Sequence, residues 1–95
     1  MNQSIERTAL TNLITNEDYA KKVLPFIKKD YFDGREEKII FEEITNFVDK
    51  YKKIPTGHAL EIEVGERKDL TETEYKKIVD IIQTLSPTDV DFDWL

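Results

Sequence analysis

Between Gly34 and Lys53, apolar residues recur at steps of three and four, and charged residues fill most of the positions between them. Because an α-helix turns once every 3.6 residues, this spacing predicts an amphipathic helix with one apolar face. Asp33 is the predicted N-cap, and Pro55 is predicted to stop the helix. About twenty residues span roughly 30 Å, the width of a small domain, so we expect the other elements to pack around this helix. Its apolar positions are Ile39, Ile40, Phe41, Ile44, Phe47, Val48 and Tyr51.

Two shorter helices are predicted before this one. The first starts after Ser4 and is broken at Thr15-Asn16, and Asn16 then caps the second. Pro25 predicts an irregular or one-turn segment that runs to Asp33, because proline lacks a backbone N–H and disfavours helix at the residue before it. The residues expected to face the core are Ile5, Ala9, Leu10, Leu13 and Ile14, then Tyr19, Ala20, Val23 and Leu24, then Phe26, Ile27, Tyr31 and Phe32.

The second half of the chain carries two further helix starts. Thr56 is expected to cap a short helix from Gly57 to about Val64. The run LEIEV at 60–64 also alternates with period two, so a strand is the alternative, which we disfavour because a lone strand leaves its backbone groups unpaired. Thr71 to Glu74 has the sequence of a capping box. The residues expected to face inward are Ala59, Leu60 and Ile62 or Val64, then Tyr75, Ile78, Val79, Ile82 and Leu85, before Ser86-Pro87 ends the last helix.

These elements predict an all-α fold, a compact bundle of five or six helices around one long central helix, with residues 1–95 as a single helical domain. The net charge of −6 argues against a domain whose main role is to bind phosphate. The chain has no cysteine, which excludes disulfides and thiolate metal sites. Its first residues are too polar for a signal peptide, and no apolar run approaches the roughly twenty residues of a membrane span, so no membrane partner is expected.

No residue is assigned to catalysis, to a cofactor or to a metal. A phosphate-binding loop needs clustered glycines, whereas Gly34, Gly57 and Gly65 are scattered. His58 is the one histidine and lacks the partners that a metal site or a nucleophile-base pair requires. Adjacent residues on a helix point about 100° apart, so neighbouring glutamates are expected to be solvated charge that does not share one atom. The pairs are Glu36 and Glu37, Glu42 and Glu43, and Glu72 and Glu74.

The last eight residues, TDVDFDWL, combine acidic residues with large apolar ones. Two large apolar residues at a terminus with nothing to cover them are unusual for a complete domain. We therefore expect Phe92, Trp94 and Leu95 to belong to an interface that is buried in a longer parent chain and exposed in this one.

The order of several short motifs carries a family resemblance. NEDYAKKVLPFI at 16–27 is followed by Asp30-Tyr31-Phe32, then by a long helix from Asp33-Gly34 with IIFEEI inside it, then by Ile54-Pro55-Thr56 and HAL at 58–60. In this order and spacing, the chain resembles the N-terminal domain of DnaB-like replicative helicases, and among them the T-even phage type. The resemblance covers nearly the whole chain.

The resemblance implies a non-catalytic module of a phage DNA replication protein. In that family a separate C-terminal motor domain binds ATP and magnesium, so neither is expected to bind here. The N-terminal domains form a collar on a hexameric ring, which implies neighbouring helicase subunits, primase and the helicase loader as partners, single-stranded DNA in the ring's channel, and the cytoplasm of the infected bacterial host as location. This sequence departs from the family by stopping before the helical hairpin that pairs N-terminal domains.

Two other functions from different classes are alternatives, and the second is disfavoured by the residues. One is a stand-alone small acidic phage regulator that binds a host protein. The other is a helix-turn-helix DNA-binding protein, which needs a recognition helix rich in Arg, Asn and Gln that the sequence does not contain.

Overall fold

Five α-helices and two short 3-10 turns make up residues 3–85, the part of the chain that the computed structural model describes. The helices are α1 Gln3–Thr15, α2 Glu17–Val23, α3 Arg35–Tyr51, α4 Gly57–Gly65 and α5 Glu72–Leu85, and the 3-10 turns are Leu24–Phe26 and Lys29–Tyr31. No strand occurs between residues 3 and 85, so the predicted all-α class is confirmed and the LEIEV run is helical.

Three of the four predicted side-chain caps are confirmed, those of Asn16, Thr56 and Thr71. Asn16 Oδ1 accepts the N–H of Tyr19 at 3.0 Å, and Thr56 Oγ1 accepts the N–H of Ala59 at 3.0 Å. In the capping box, Thr71 Oγ1 accepts the N–H of Glu74 at 3.1 Å while the Glu74 carboxylate accepts the N–H of Thr71 at 3.0 Å. Each bond satisfies an amide that has no partner inside its helix.

The ends of α3 differ from the prediction. Gly34, not Asp33, occupies the N-cap position, and its cap has no side-chain hydrogen bond. At the other end, α3 stops at Tyr51 because Lys52 adopts the left-handed conformation, with φ 61°, and donates its N–H to the Val48 carbonyl. The helix therefore ends before Pro55 can act on it, and α3 has 17 residues.

The apolar face of α3 is the centre of the core. Helix α3 packs against α1, α4 and α5 and against the Lys29–Tyr31 turn, which confirms its central position. The fully buried Phe32 ring lies 5.1 Å, centroid to centroid, from the Phe41 ring. The core residues are Leu10, Leu13, Ile14, Ala20, Phe32, Ile39, Ile40, Phe41, Ile44, Leu60, Val64, Ile78, Ile82 and Leu85.

Several residues predicted to be buried are exposed. Phe26 is 83% exposed and Tyr31 is 48% exposed, so the segment after Pro25 buries only Phe32 fully. Ile5, Tyr51 and Ile62 are also exposed, so of the two alternatives Ile62 and Val64 it is Val64 that joins Leu60 in the core. Phe32 packs against Phe41 inside the core, and Tyr31 packs edge-on against Phe32, 5.8 Å between ring centroids, while remaining half exposed to solvent. None of the helices between residues 3 and 85 is both long and apolar enough to cross a bilayer.

Replacing Phe41 with alanine should cost about 3 to 5 kcal/mol of unfolding free energy, because a ring that is 95% buried leaves a cavity. Phe47→Ala should cost less, since Phe47 is only half-buried. Chemical denaturation with Lys53→Ala as the exposed control measures these differences. Equal midpoints for Phe41→Ala and Lys53→Ala would contradict the position of α3.

Candidate interaction surfaces

The predicted interface residues Phe92, Trp94 and Leu95 lie outside the described residues. Three other features of residues 3–85 are candidates for a functional role. They are an apolar groove, a surface network of ion pairs, and a pair of buried glutamates.

An apolar groove lies between α1, α2 and the two 3-10 turns. It has a volume of about 370 Å³, and we call it the α1–α2 groove. Three large hydrophobic residues that are exposed in the described chain, Ile5, Phe26 and Tyr31, all line it. Exposed apolar patches of this kind are typical of protein interaction sites. The apolar residues that line the groove are Ile5, Ala9, Tyr19, Val23, Phe26, Ile27 and Tyr31, and its polar lining residues are Thr8 and Asn12.

Local backbone structure keeps the groove open. Helix α2 has only seven residues, and Pro25 lies in the 3-10 turn that follows it. At that turn the chain leaves the helical path, and Ile27 adopts an extended conformation. Phe26 is carried outward instead of continuing the buried stripe of Ala20. Sequence reasoning missed the groove because it assigned every aromatic residue near Pro25 to the core.

A network of ion pairs surrounds Arg67, in the loop after α4. Its Nη1 lies 2.7 Å from a Glu43 oxygen and 3.4 Å from a Glu42 oxygen, and its Nη2 lies 2.9 Å from Asp69. Lys29 approaches Glu42 from the other side at 2.9 Å. The prediction that Glu42 and Glu43 cannot share one partner atom is wrong, because the guanidinium lies between the two side chains.

Burial and hydrogen bonding shift the pKa values of this network in different directions. Burial raises the pKa of Glu43, although Arg67 opposes the shift. The hydrogen bond from Lys29 lowers the pKa of Glu42, and the hydrogen bond from Arg67 lowers the pKa of Asp69. Glu43 is 8% exposed, so the expectation that it is a solvated charge is also wrong.

Ion pairing, in this network and elsewhere, limits how much unpaired positive charge the surface presents. Lys29, Arg35, Lys38 and Arg67 line one concavity of about 500 Å³, which is the densest cationic lining among the described cavities. Three of these cations are already paired: Lys29 with Glu42, Arg35 with Glu74 at 3.1 Å, and Arg67 with Glu43 and Asp69. Paired cations gain little from phosphate, because binding it would require breaking existing contacts.

Two buried glutamates hold α1 against the start of α3. Glu6 and Glu37 are each 1% exposed. The Glu6 carboxylate accepts the N–H of Asp33 at 3.2 Å, and Glu37 accepts from Arg7 Nε at 3.4 Å. Sequence reasoning did not single out Glu6 and expected Glu37 to be exposed. The signal for Glu37 was its position three residues after the N-cap, where a glutamate can turn back toward the cap.

The chain is similar to the DnaB-like replicative helicase of Enterobacteria phage T4. The two sequences are 33% identical over 86 residues, which are 90% of this chain and 18% of the helicase. The resemblance noted in the sequence is thus confirmed, and the chain spans less than a fifth of the relative's length. No protein-family model matches the chain.

Gly34→Ala should destabilise the fold by about 1 to 3 kcal/mol. The backbone at Gly34, with φ −79° and ψ 142°, suits alanine, but the added Cβ would collide with the carboxylate of Glu37, which is buried and held by Arg7. Gly65→Ala is the matched control, because its Cβ would meet the Tyr75 ring at an ordinary 3.4 Å. Thermal denaturation of both variants makes the comparison, and equal effects would contradict the proposed role of Glu37.

Arg67→Met should cost about 2 to 3 kcal/mol at neutral pH, less than for a fully buried pair because Arg67 is 21% exposed. The variant leaves Glu43 charged and buried without a cation. Because the pKa of Glu43 is raised in the fold, protonation removes that cost as the pH falls through it. The pKa of Asp69 is lowered by Arg67, so the native chain also loses this contribution at low pH.

The difference in stability between the native chain and Arg67→Met should therefore be largest near pH 7 and shrink toward pH 4. Urea denaturation at several pH values measures it. Arg35→Met is the control, since its pair with Glu74 is exposed on both sides and should be worth less than about 1 kcal/mol. A difference that does not change with pH would show that Glu43 is not the group left unpaired.

Proposed function

We propose that this chain is the N-terminal domain of a phage replicative DNA helicase. The observation that carries the proposal is the similarity over 90% of this chain to only 18% of the phage T4 helicase. High coverage of this chain together with low coverage of the helicase is what a single domain of a larger protein gives. The parent chain would continue past Leu95 into a helical hairpin and a motor domain, and ATP and magnesium would bind in that motor domain.

In this role the domain is a non-catalytic scaffold. It contributes to a collar on the hexameric ring, where it contacts neighbouring helicase subunits and offers docking surface to primase and the helicase loader. The ion-paired surface and the net charge of −6 fit a domain with weak or no DNA affinity of its own, while single-stranded DNA passes through the parent ring. The site of action is the cytoplasm of the infected bacterial host.

The interface of this domain with the rest of the assembly includes Phe92, Trp94 and Leu95. Trp94 is the one tryptophan of the chain, so its fluorescence reports on this interface directly. We expect a solvent-exposed spectrum for the dilute 95-residue chain. Extending the chain by about fifty residues of its natural reading frame should shift the Trp94 emission to shorter wavelength and protect it from acrylamide.

The control is the same extended chain with Trp94→Phe, which removes the Trp94 signal and identifies any contribution from added residues. Unchanged exposure of Trp94 after extension would refute the interface. The function itself is tested by the gene: a reading frame that continues into a nucleotide-binding motor supports the helicase. A frame that ends after Leu95 would instead favour the stand-alone acidic regulator.

A further inference from the structure

We propose that the C-terminal end of α3 binds single-stranded nucleic acid, with a base stacked on Tyr51 and phosphates on the lysines that flank it. The inference deepens the proposed function, on which it rests, by naming a contact between this domain and the strand that passes through the parent ring. The surface consists of Phe47, Lys50, Tyr51, Lys52 and Lys53, and we call it the Tyr51 platform.

The aromatic part of the platform is supported by the helix and open to solvent. Tyr51 is 45% exposed, and its ring lies 4.5 Å, centroid to centroid, from the ring of Phe47. Phe47 lies one turn back along α3 and is half-buried, so it holds the Tyr51 ring against the helix. A flat aromatic surface therefore remains outside the core. Every base has a π-face that can stack on such a surface, whatever the sequence of the strand.

Unpaired lysines flank Tyr51 in the chain. Lys50, Lys52 and Lys53 are exposed, and none of them forms a salt bridge within residues 3–85. Lys50 Nζ lies 5.2 Å from the centroid of the Tyr51 ring, an exposed cation–π contact that is weak enough to be exchanged for a phosphate. The sequence has no Asp or Glu from residue 50 to residue 60. Phosphates can therefore bind these lysines without displacing a carboxylate.

Acidic residues nearby limit the affinity but leave the lysines charged. Asp49 precedes the platform, and Tyr51, followed by Glu63 and Glu66 of α4, raises the pKa of Lys50. Lys50 is therefore an ammonium at neutral pH. Because the net charge of the chain is −6, we expect one copy to bind weakly and only at low ionic strength. Several copies around a ring would bind the same strand together and so more tightly.

Lys52 has a backbone conformation that lysine rarely adopts. Its φ of 61° lies in the left-handed region, and it is the one non-glycine residue with positive φ in the part of the chain that the structure describes. Glycine usually takes this position after a helix because it has no Cβ to clash. Strained residues of this kind are concentrated at functional sites. A lysine here lowers stability but adds a cation next to Tyr51, which is what a binding role requires.

The lysines alone would also attract an acidic protein segment. A nucleic acid is favoured because its charges and its flat groups match the order of the platform. A single strand places a phosphate on each side of every base, and the platform places lysines on both sides of one exposed ring. Stacking platforms beside positive charge are the usual means of binding single strands without sequence preference.

The test titrates the 95-residue chain into a fluorescently labelled oligothymidylate at low ionic strength and follows anisotropy. The strand should bind at least about fivefold more tightly than an abasic strand of equal charge, because only the former can stack. The slope of log K against log salt should be about −2, since each of three lysines contributes about −0.7. Oligoglutamate of equal charge should compete poorly.

Variants of the ring locate the contact. Tyr51→Leu keeps an apolar side chain without a flat ring and should weaken binding at least about fivefold, whereas Tyr51→Phe should bind like the native chain. Phe26→Leu is the matched control, because Phe26 is an 83% exposed aromatic residue outside the platform, and it should have no effect. On irradiation, a strand carrying 5-iodouracil should crosslink to Tyr51, as mapped by mass spectrometry.

A variant of Lys52 separates binding from folding. Lys52→Gly should raise the melting temperature by about 2 to 5 °C, because glycine adopts this φ without strain. The same variant should weaken binding and reduce the size of the salt slope by about 0.7, while Lys52→Arg should preserve both. A merely structural lysine would not give this combination of higher stability and weaker binding.

Four results would overturn the proposal: no binding at low ionic strength, equal affinity for the abasic strand, unchanged binding by Lys52→Gly, or crosslinks that miss Tyr51. Oligoglutamate that competes as well as the strand would also overturn it, and would identify an acidic protein segment as the ligand. None of these results depends on whether the reading frame continues into a motor, so the proposed function can fail or stand separately.

Discussion

Burial of one face of α3 is the constraint on which the rest of the structure depends. Ile40 and Ile44 of that face are fully buried, and the helices that cover them, α1, α4 and α5, come from both ends of the described chain. Neither α4, with nine residues, nor α2, with seven, is long enough to be stable alone in water. Their helical structure therefore depends on the surface that α3 provides.

Polar contacts then fix where each element lies on this surface. Glu6 and Glu37 join α1 to the beginning of α3, and Arg67 joins the loop after α4 to its middle. These contacts bury carboxylates, which is unfavourable unless each has donors. Because buried ion pairs add little net stability over apolar packing, we infer that their main effect is to fix the register of the helices. The apolar packing determines that the helices associate, and the buried carboxylates determine how.

Periodicity and capping were sufficient to predict the helices, because both signals lie within a few residues. The caps at Asn16 and Thr56 and the box at Thr71 needed no knowledge of the rest of the chain. The burial of Glu43 could not be predicted in this way, since it depends on Arg67, which is 24 residues further along. Phe26 and Tyr31 were misplaced for the opposite reason: a local pattern marks a residue as apolar but does not say whether the core has room for it.

The shared guanidinium has a consequence for how this protein can change. Arg67 contacts Glu42, Glu43 and Asp69, so substitutions at these four positions should not have additive energies. Loss of the cation leaves the buried carboxylate as the largest cost, and a second change at Glu43 to a neutral residue would remove much of it. Evolutionary change at this site is thus expected to involve both residues of the pair. Neutralising Glu43, the buried carboxylate, before losing Arg67 avoids an intermediate with an unpaired buried charge.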